Sequence, residues 1–78
     1  MKIGIGIIGL GHMGSIFAKI IKDLPDSDCE LVGVADLNED KISEIVRGIK
    51  CEGYRDYKKL LNNSKVNLVY IASPLILI

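Results

Sequence analysis

The sequence predicts an α/β fold in three layers, α/β/α, built on a parallel sheet whose strands lie in the order 3-2-1-4. Three observations carry that prediction. An apolar run from Ile3 to Ile8 enters the turn Gly9-Leu10-Gly11-His12-Met13-Gly14 and leaves it at helical spacing. Short apolar runs then alternate with amphipathic stretches as β-α-β-α-β-α-β, which in a parallel sheet requires right-handed crossovers. Finally, Asp36 closes the second apolar run about 22 residues past Gly14, the distance at which a turn of this kind carries an acidic partner.

Each glycine of the turn has its own duty. Gly9 permits the tight exit from the strand, Gly11 leaves no Cβ between the backbone and a pyrophosphate, and Gly14 lets the helix pack against the strand it has just left. The first N–H groups of the helix have no partner within it. Together with the positive end of the helix dipole, they favour a phosphate dianion without any basic side chain. His12 is within the turn and can approach a phosphate, although a solvated loop residue is the simpler reading; Met13 reads as packing beside a cofactor or the helix.

The first helix carries Met13, Ile16, Phe17, Ile20, Ile21 and Leu24 as one apolar stripe, with Lys19, Lys22 and Asp23 turned outward. Pro25 stops it, and Asp26-Ser27-Asp28 lead into the second strand. That strand, Leu31 to Ala35, has no polar alternation and reads as buried on both faces. Asn38 is placed to cap a second helix with Glu39 and Asp40 in its first turn; it buries Ile42, Ile45 and Val46 and ends at a Gly48 cap beside Arg47. A short edge strand is expected from Ile49 to Gly53, where Lys50 and Glu52 alternate with Ile49 and Cys51. Asp56 caps a third helix containing Tyr57, Leu60 and Leu61, which Asn62-Asn63-Ser64 end. The fourth strand, Val66 to Ala72, is apolar on both faces apart from Asn67 and stops at Ser73-Pro74.

In a sheet of order 3-2-1-4 the chain reverses direction between the first and fourth strands, and ligands bind in the crevice at the carboxyl ends of those strands. Ser73 and Pro74 are therefore expected to face the glycine turn across a cofactor, although an ordinary strand-ending turn would use the same residues. Asp36 is placed to hold the hydroxyls of an adenosine ribose. Its negative charge, followed by Leu37 and Asn38 with no positive charge, favours NAD over NADP. Alone, Asp36 would equally suit a strand end followed by a turn.

The 78 residues form one domain at most, covering 1–78, of a size that buries only about 60% of the surface its unfolded chain exposes. Ten basic and ten acidic residues cancel, with no basic stripe or aromatic platform, which argues against a nucleic-acid partner. Cys29 and Cys51 are too far apart for a C-x-x-C pair and too few for a secreted disulfide scaffold, so a reduced cytosolic setting fits. The apolar start is interrupted by the glycine turn and does not read as an export signal. The terminal run from Leu68 to Ile78 is divided by Pro74 and is shorter than the roughly 20 residues that span a bilayer, so no membrane partner is expected.

Four segments together resemble the amino-terminal part of the Gfo/Idh/MocA family of glucose-fructose oxidoreductases and inositol dehydrogenases. They are Ile7-Ile8-Gly9-Leu10-Gly11-His12-Met13-Gly14, Leu31-Val32-Gly33-Val34-Ala35-Asp36, Tyr54-Arg55-Asp56-Tyr57-Lys58-Lys59-Leu60-Leu61 and Val69-Tyr70-Ile71-Ala72-Ser73-Pro74. The resemblance implies a Rossmann-type fold and NAD(P)-dependent hydride transfer at a hydroxyl-bearing carbon, commonly of a sugar or polyol. It also implies a polar residue after the Ser-Pro pair and a histidine three positions later, where this chain has Leu75 and Ile78. By the same resemblance, a catalytic lysine in a Glu-Lys-Pro motif and a carboxyl-terminal substrate domain belong to the family and are absent from these residues. No residue here is therefore assigned to catalysis. Three readings follow: a cofactor-binding fragment of an oxidoreductase with a truncated sheet, a nucleotide-sensing module that binds without turnover, and an interaction fragment that self-associates through its open sheet edge or meets the missing carboxyl-terminal domain.

Overall fold

The computed structural model describes residues 2–24 and 28–72. In chain order the elements are β1 (Ile3–Ile8), α1 (His12–Asp23), β2 (Cys29–Ala35), α2 (Glu39–Gly48), β3 (Glu52–Tyr54), α3 (Tyr57–Leu61) and β4 (Leu68–Ile71). All pairings are parallel and the strand order is β3-β2-β1-β4, as the alternation of elements requires.

Side-chain alternation along β1 separates the two helical layers. Ile5 and Ile7 join Ala18 and Ile21 of α1 and Ile45 of α2 in the main core, whereas the intervening Gly6 faces Leu60 of α3. Helices thus cover both faces. The β1–β2 register shifts between Ile5 and Gly6: Ile5 pairs with Leu31 and Gly6 with Gly33, leaving Val32 as an extra residue. This bulge explains how Leu31 and Val34, three residues apart, both belong to one core, which a regular strand would forbid.

Local chemistry defines the helix starts. Asn38 Oδ1 accepts from Asp40 N at 2.9 Å and Lys41 N at 3.4 Å, and Asp56 Oδ1 accepts from Lys58 N at 2.9 Å. Both caps are as the sequence predicts. Other expectations are corrected. Of the apolar stripe on α1, only Ile21 is buried and Phe17 partly so; Met13, Ile16, Ile20 and Leu24 are exposed. The line against the sheet is Gly14, Ala18 and Ile21, because small residues let the helix axis come close and lift the larger side chains to its flanks.

Gly48 is the last helical residue of α2 rather than a left-handed cap. The chain leaves through an extended Ile49, whose N–H bonds Ile45 O, so no positive φ is needed. That last turn also delays β3, which begins at Glu52 instead of Ile49 and remains at a sheet edge. β4 likewise starts at Leu68, because the Val66 amide is taken by Asn63 O and Asn67 is engaged with Gly4. Burial of β4 on both faces is not found. Leu68 and Ile71 are 55% and 67% exposed, since β4 ends the sheet and no described element lies beyond it. Pro25, Asp26 and Ser27, expected to end α1 and form the following loop, lie outside the described residues.

Candidate dinucleotide site

Gly9 has φ 95°, a left-handed conformation that L side chains rarely adopt, and its N–H donates to Ala35 O at 2.8 Å. The turn is thereby tied to the end of β2. A Cβ on Gly14 would run into Gly9 O and press on Ala72 Cβ, so the start of α1 can lie against the β1 exit only without a side chain there. Around Gly11, by contrast, an added Cβ would meet nothing within 4 Å. Gly9 thus turns the chain and Gly14 is packed, as their sequence positions predict, and Gly11 borders open space.

Gly11 is the N-cap of α1 and supplies no side-chain hydrogen bond to the first turn, which also holds no acidic residue. The amides at this end have no partner within the helix, the arrangement an anion-binding helix start requires. His12 and Met13 are the first two residues of α1, and both are exposed, Met13 at 58%. His12 is thus solvated but helical rather than in a loop, and Met13 does not pack into the core.

Asp36 follows β2 and is half-buried, with its own N–H on Tyr54 O at 3.0 Å. Its Oδ2 accepts from Leu10 N at 2.6 Å and its Oδ1 from Asn38 N at 2.8 Å. The carboxylate is therefore joined directly to the glycine turn. Leu37 beside it is 78% exposed and, with Asn38, places no cation near the carboxylate. Ser73 and Pro74, expected across the crevice, lie outside the described residues; β4 nevertheless lies next to β1, and Ala72 N donates to Ile8 O at 2.8 Å beside the turn.

A profile for an oxidoreductase family with an NAD-binding Rossmann fold, Gfo/Idh/MocA, matches residues 3–75. The chain belongs to this family. Myo-inositol 2-dehydrogenase of Thermotoga maritima is 33% identical over 70 residues, spanning 88% of this chain and 20% of that protein. The myo-inositol dehydrogenase of Lactobacillus casei, solved with NAD(H) and myo-inositol, superposes with a TM-score of 0.84 at 25% identity, over 94% of this chain and 22% of the other. The scyllo-inositol dehydrogenase of the same organism, solved with NAD(H) and scyllo-inositol, gives a TM-score of 0.85 at 24% identity, over 95% of this chain and 22% of that one. The chain thus spans about a fifth of the length of these relatives, as an NAD-binding Rossmann domain of an oxidoreductase family.

Two contacts were not anticipated from sequence, one at the glycine turn and one at the opposite end of β1. Ser15 Oγ donates to Leu10 O at 3.0 Å, and Asn67, visible only as the single polar interruption of an apolar run, accepts from Gly4 N at 2.8 Å while its own N–H donates to Gly4 O at 2.7 Å. Among the described residues no cluster of metal-ligating side chains occurs, and no helix is long and apolar enough to cross a membrane. A cleft of about 670 Å³ lies at the opposite end of the sheet, between Lys2, Ile21, Cys29 and Ile49. It is remote from the carboxyl ends of the strands, where a doubly wound sheet binds its ligand.

Proposed function

We propose that the chain binds NAD, in preference to NADP, as the cofactor module of an oxidoreductase acting on a sugar, polyol or similar hydroxyl-bearing molecule. The observation that supports the reading is the bond from Leu10 N to Asp36 Oδ2, which joins the carboxylate read as the ribose partner directly to the turn read as the phosphate cradle. In this reading the first-turn amides of α1, beyond Gly11, hold the pyrophosphate. Asp36 takes the adenosine ribose hydroxyls and repels a 2′-phosphate; His12, Met13, Ser73 and Pro74 border the cofactor. When bound, NAD supplies the hydride acceptor. The substrate and the proton-transferring group are assigned to chain beyond this module, in keeping with the much greater length of the inositol dehydrogenases it resembles.

Calorimetric titration of NADH and NADPH into the wild type and Asp36→Ala tests the proposal. NADH is expected to bind the wild type more tightly than NADPH, and Asp36→Ala to reduce that preference by about tenfold or more, the scale of a lost hydrogen bond to a charged group. No binding of either nucleotide sinks the reading, and tighter NADPH binding removes Asp36 as the selector. A second reading draws on the exposed Leu68 and Ile71 of the edge strand β4: this edge meets another copy of the chain or a further domain. A monomer at every concentration in light scattering argues against association between copies.

A further inference from the structure

We infer that Asp36 is also a positioning residue, which orders the glycine turn before any nucleotide arrives; the inference rests on reading that turn as a dinucleotide's phosphate cradle. The polar main-chain groups of the turn are held from two sides. Gly9 N is fixed by Ala35 O, Leu10 N by Asp36 Oδ2 and Leu10 O by the Ser15 hydroxyl. A trans peptide directs its N–H opposite to its C=O. With Leu10 O held by Ser15, the Gly11 N–H therefore points away from it, and a Cβ added at Gly11 would meet nothing within 4 Å.

Asp36 is itself rigidly placed. Its main chain is bonded to Tyr54 O in β3, and its other oxygen accepts from Asn38 N, whose side chain caps α2. The Asp36 carboxylate thus links the β1–α1 turn to the β2–α2 turn, while its main-chain N–H ties the same residue to the end of β3. A carboxylate offers about four acceptor sites, so two remain for a ribose diol after the two amides are bound. Turn order and ribose recognition consequently share one side chain, and a substitution chosen to change cofactor preference at Asp36 also releases the Leu10 amide.

Amide hydrogen exchange followed by NMR on the 78-residue chain, without nucleotide, tests this in the wild type, Asp36→Asn and Asp36→Ala. The Leu10 amide is expected to be protected in the wild type and within about threefold of that in Asp36→Asn, whose side-chain oxygen still accepts. In Asp36→Ala it should exchange about tenfold faster or more, while Val34 in the sheet keeps its rate. An unprotected Leu10 in the wild type, no acceleration in Asp36→Ala, or no rescue by Asn each overturns the inference. If Asp36→Ala fails to fold, the wild-type and Asp36→Asn rates decide the matter. Inorganic pyrophosphate adds a readout that a ribose contact alone would not move. The two variants carry the same charge, so a ribose-only role predicts equal affinities, whereas positioning predicts binding about fivefold weaker or more in Asp36→Ala than in Asp36→Asn. Failure of NADH to bind alongside the expected Leu10 rates overturns the cofactor reading and leaves the positioning role standing.

Discussion

Leu60→Ala tests the packing of α3 on the sheet face opposite the main core. Leu60 is fully buried, is the single buried residue of α3, and lies over Gly6 and Gly33, whose added Cβ atoms would stand 3.2 and 2.8 Å from its methyl groups. No neighbouring side chain on those two strand positions can relax into the space. Truncation removes roughly 2 kcal/mol of transfer free energy and leaves a cavity whose cost brings the total to about 3 to 4 kcal/mol. For a domain of this size total stability is about 4 to 12 kcal/mol, so a large share is lost. Thermal unfolding by circular dichroism should show a fall of about 12 °C or more, at about 4 to 8 °C per kcal/mol. Urea unfolding should move its midpoint with little change in slope. A loss below about 1 kcal/mol would mean that Leu60 does not hold α3 to the sheet, and the reading of that contact as a packed one would be wrong.

Three further outcomes follow from the same structure. Gly14→Ala sets a methyl group against Gly9 O, so NADH binding measured by calorimetry should be lost or cut by about tenfold or more together with some stability; unchanged binding contradicts the close packing of turn and helix. Asn67→Ala leaves Gly4 N without its acceptor and should cost about 1 to 2 kcal/mol in urea unfolding, whereas no change would show the amide satisfied by solvent. The Cys51 thiol is pushed up to about 11 by burial and then by the neighbouring Glu52 carboxylate. The folded state therefore retains the proton that the unfolded chain gives up near pH 9, so this contribution is intact below pH 9 and is lost as pH rises to about 11. Urea unfolding across that window should fall more steeply for the wild type than for Cys51→Ala, and equal slopes would refute the assignment.

Much of the site was legible because its chemistry is local. Gly9 and Gly14 each act through the absence of one Cβ on a short turn, and Asn38 and Asp56 cap helices by reaching amides two residues away. The buried face of α1 was not legible. Helical spacing identifies Met13, Ile16 and Ile20 as apolar, but which residues meet the sheet depends on how closely the axis approaches, and Gly14 and Ala18 decide that by being small. The bulge at Val32 escaped for the same reason, since a uniformly apolar strand carries no mark of register.

The order of elements, the glycine turn and the distance to Asp36 were determined by the sequence alone, because strand and helix periodicities and single-residue backbone constraints act along the chain. That Asp36 grips Leu10, that Ser15 secures the same residue, and that Asn67 clasps Gly4 were decided only by tertiary structure. Two of those contacts join residues 26 and 63 positions apart, and no local pattern encodes a hydrogen bond that exists only once parallel strands have been brought side by side.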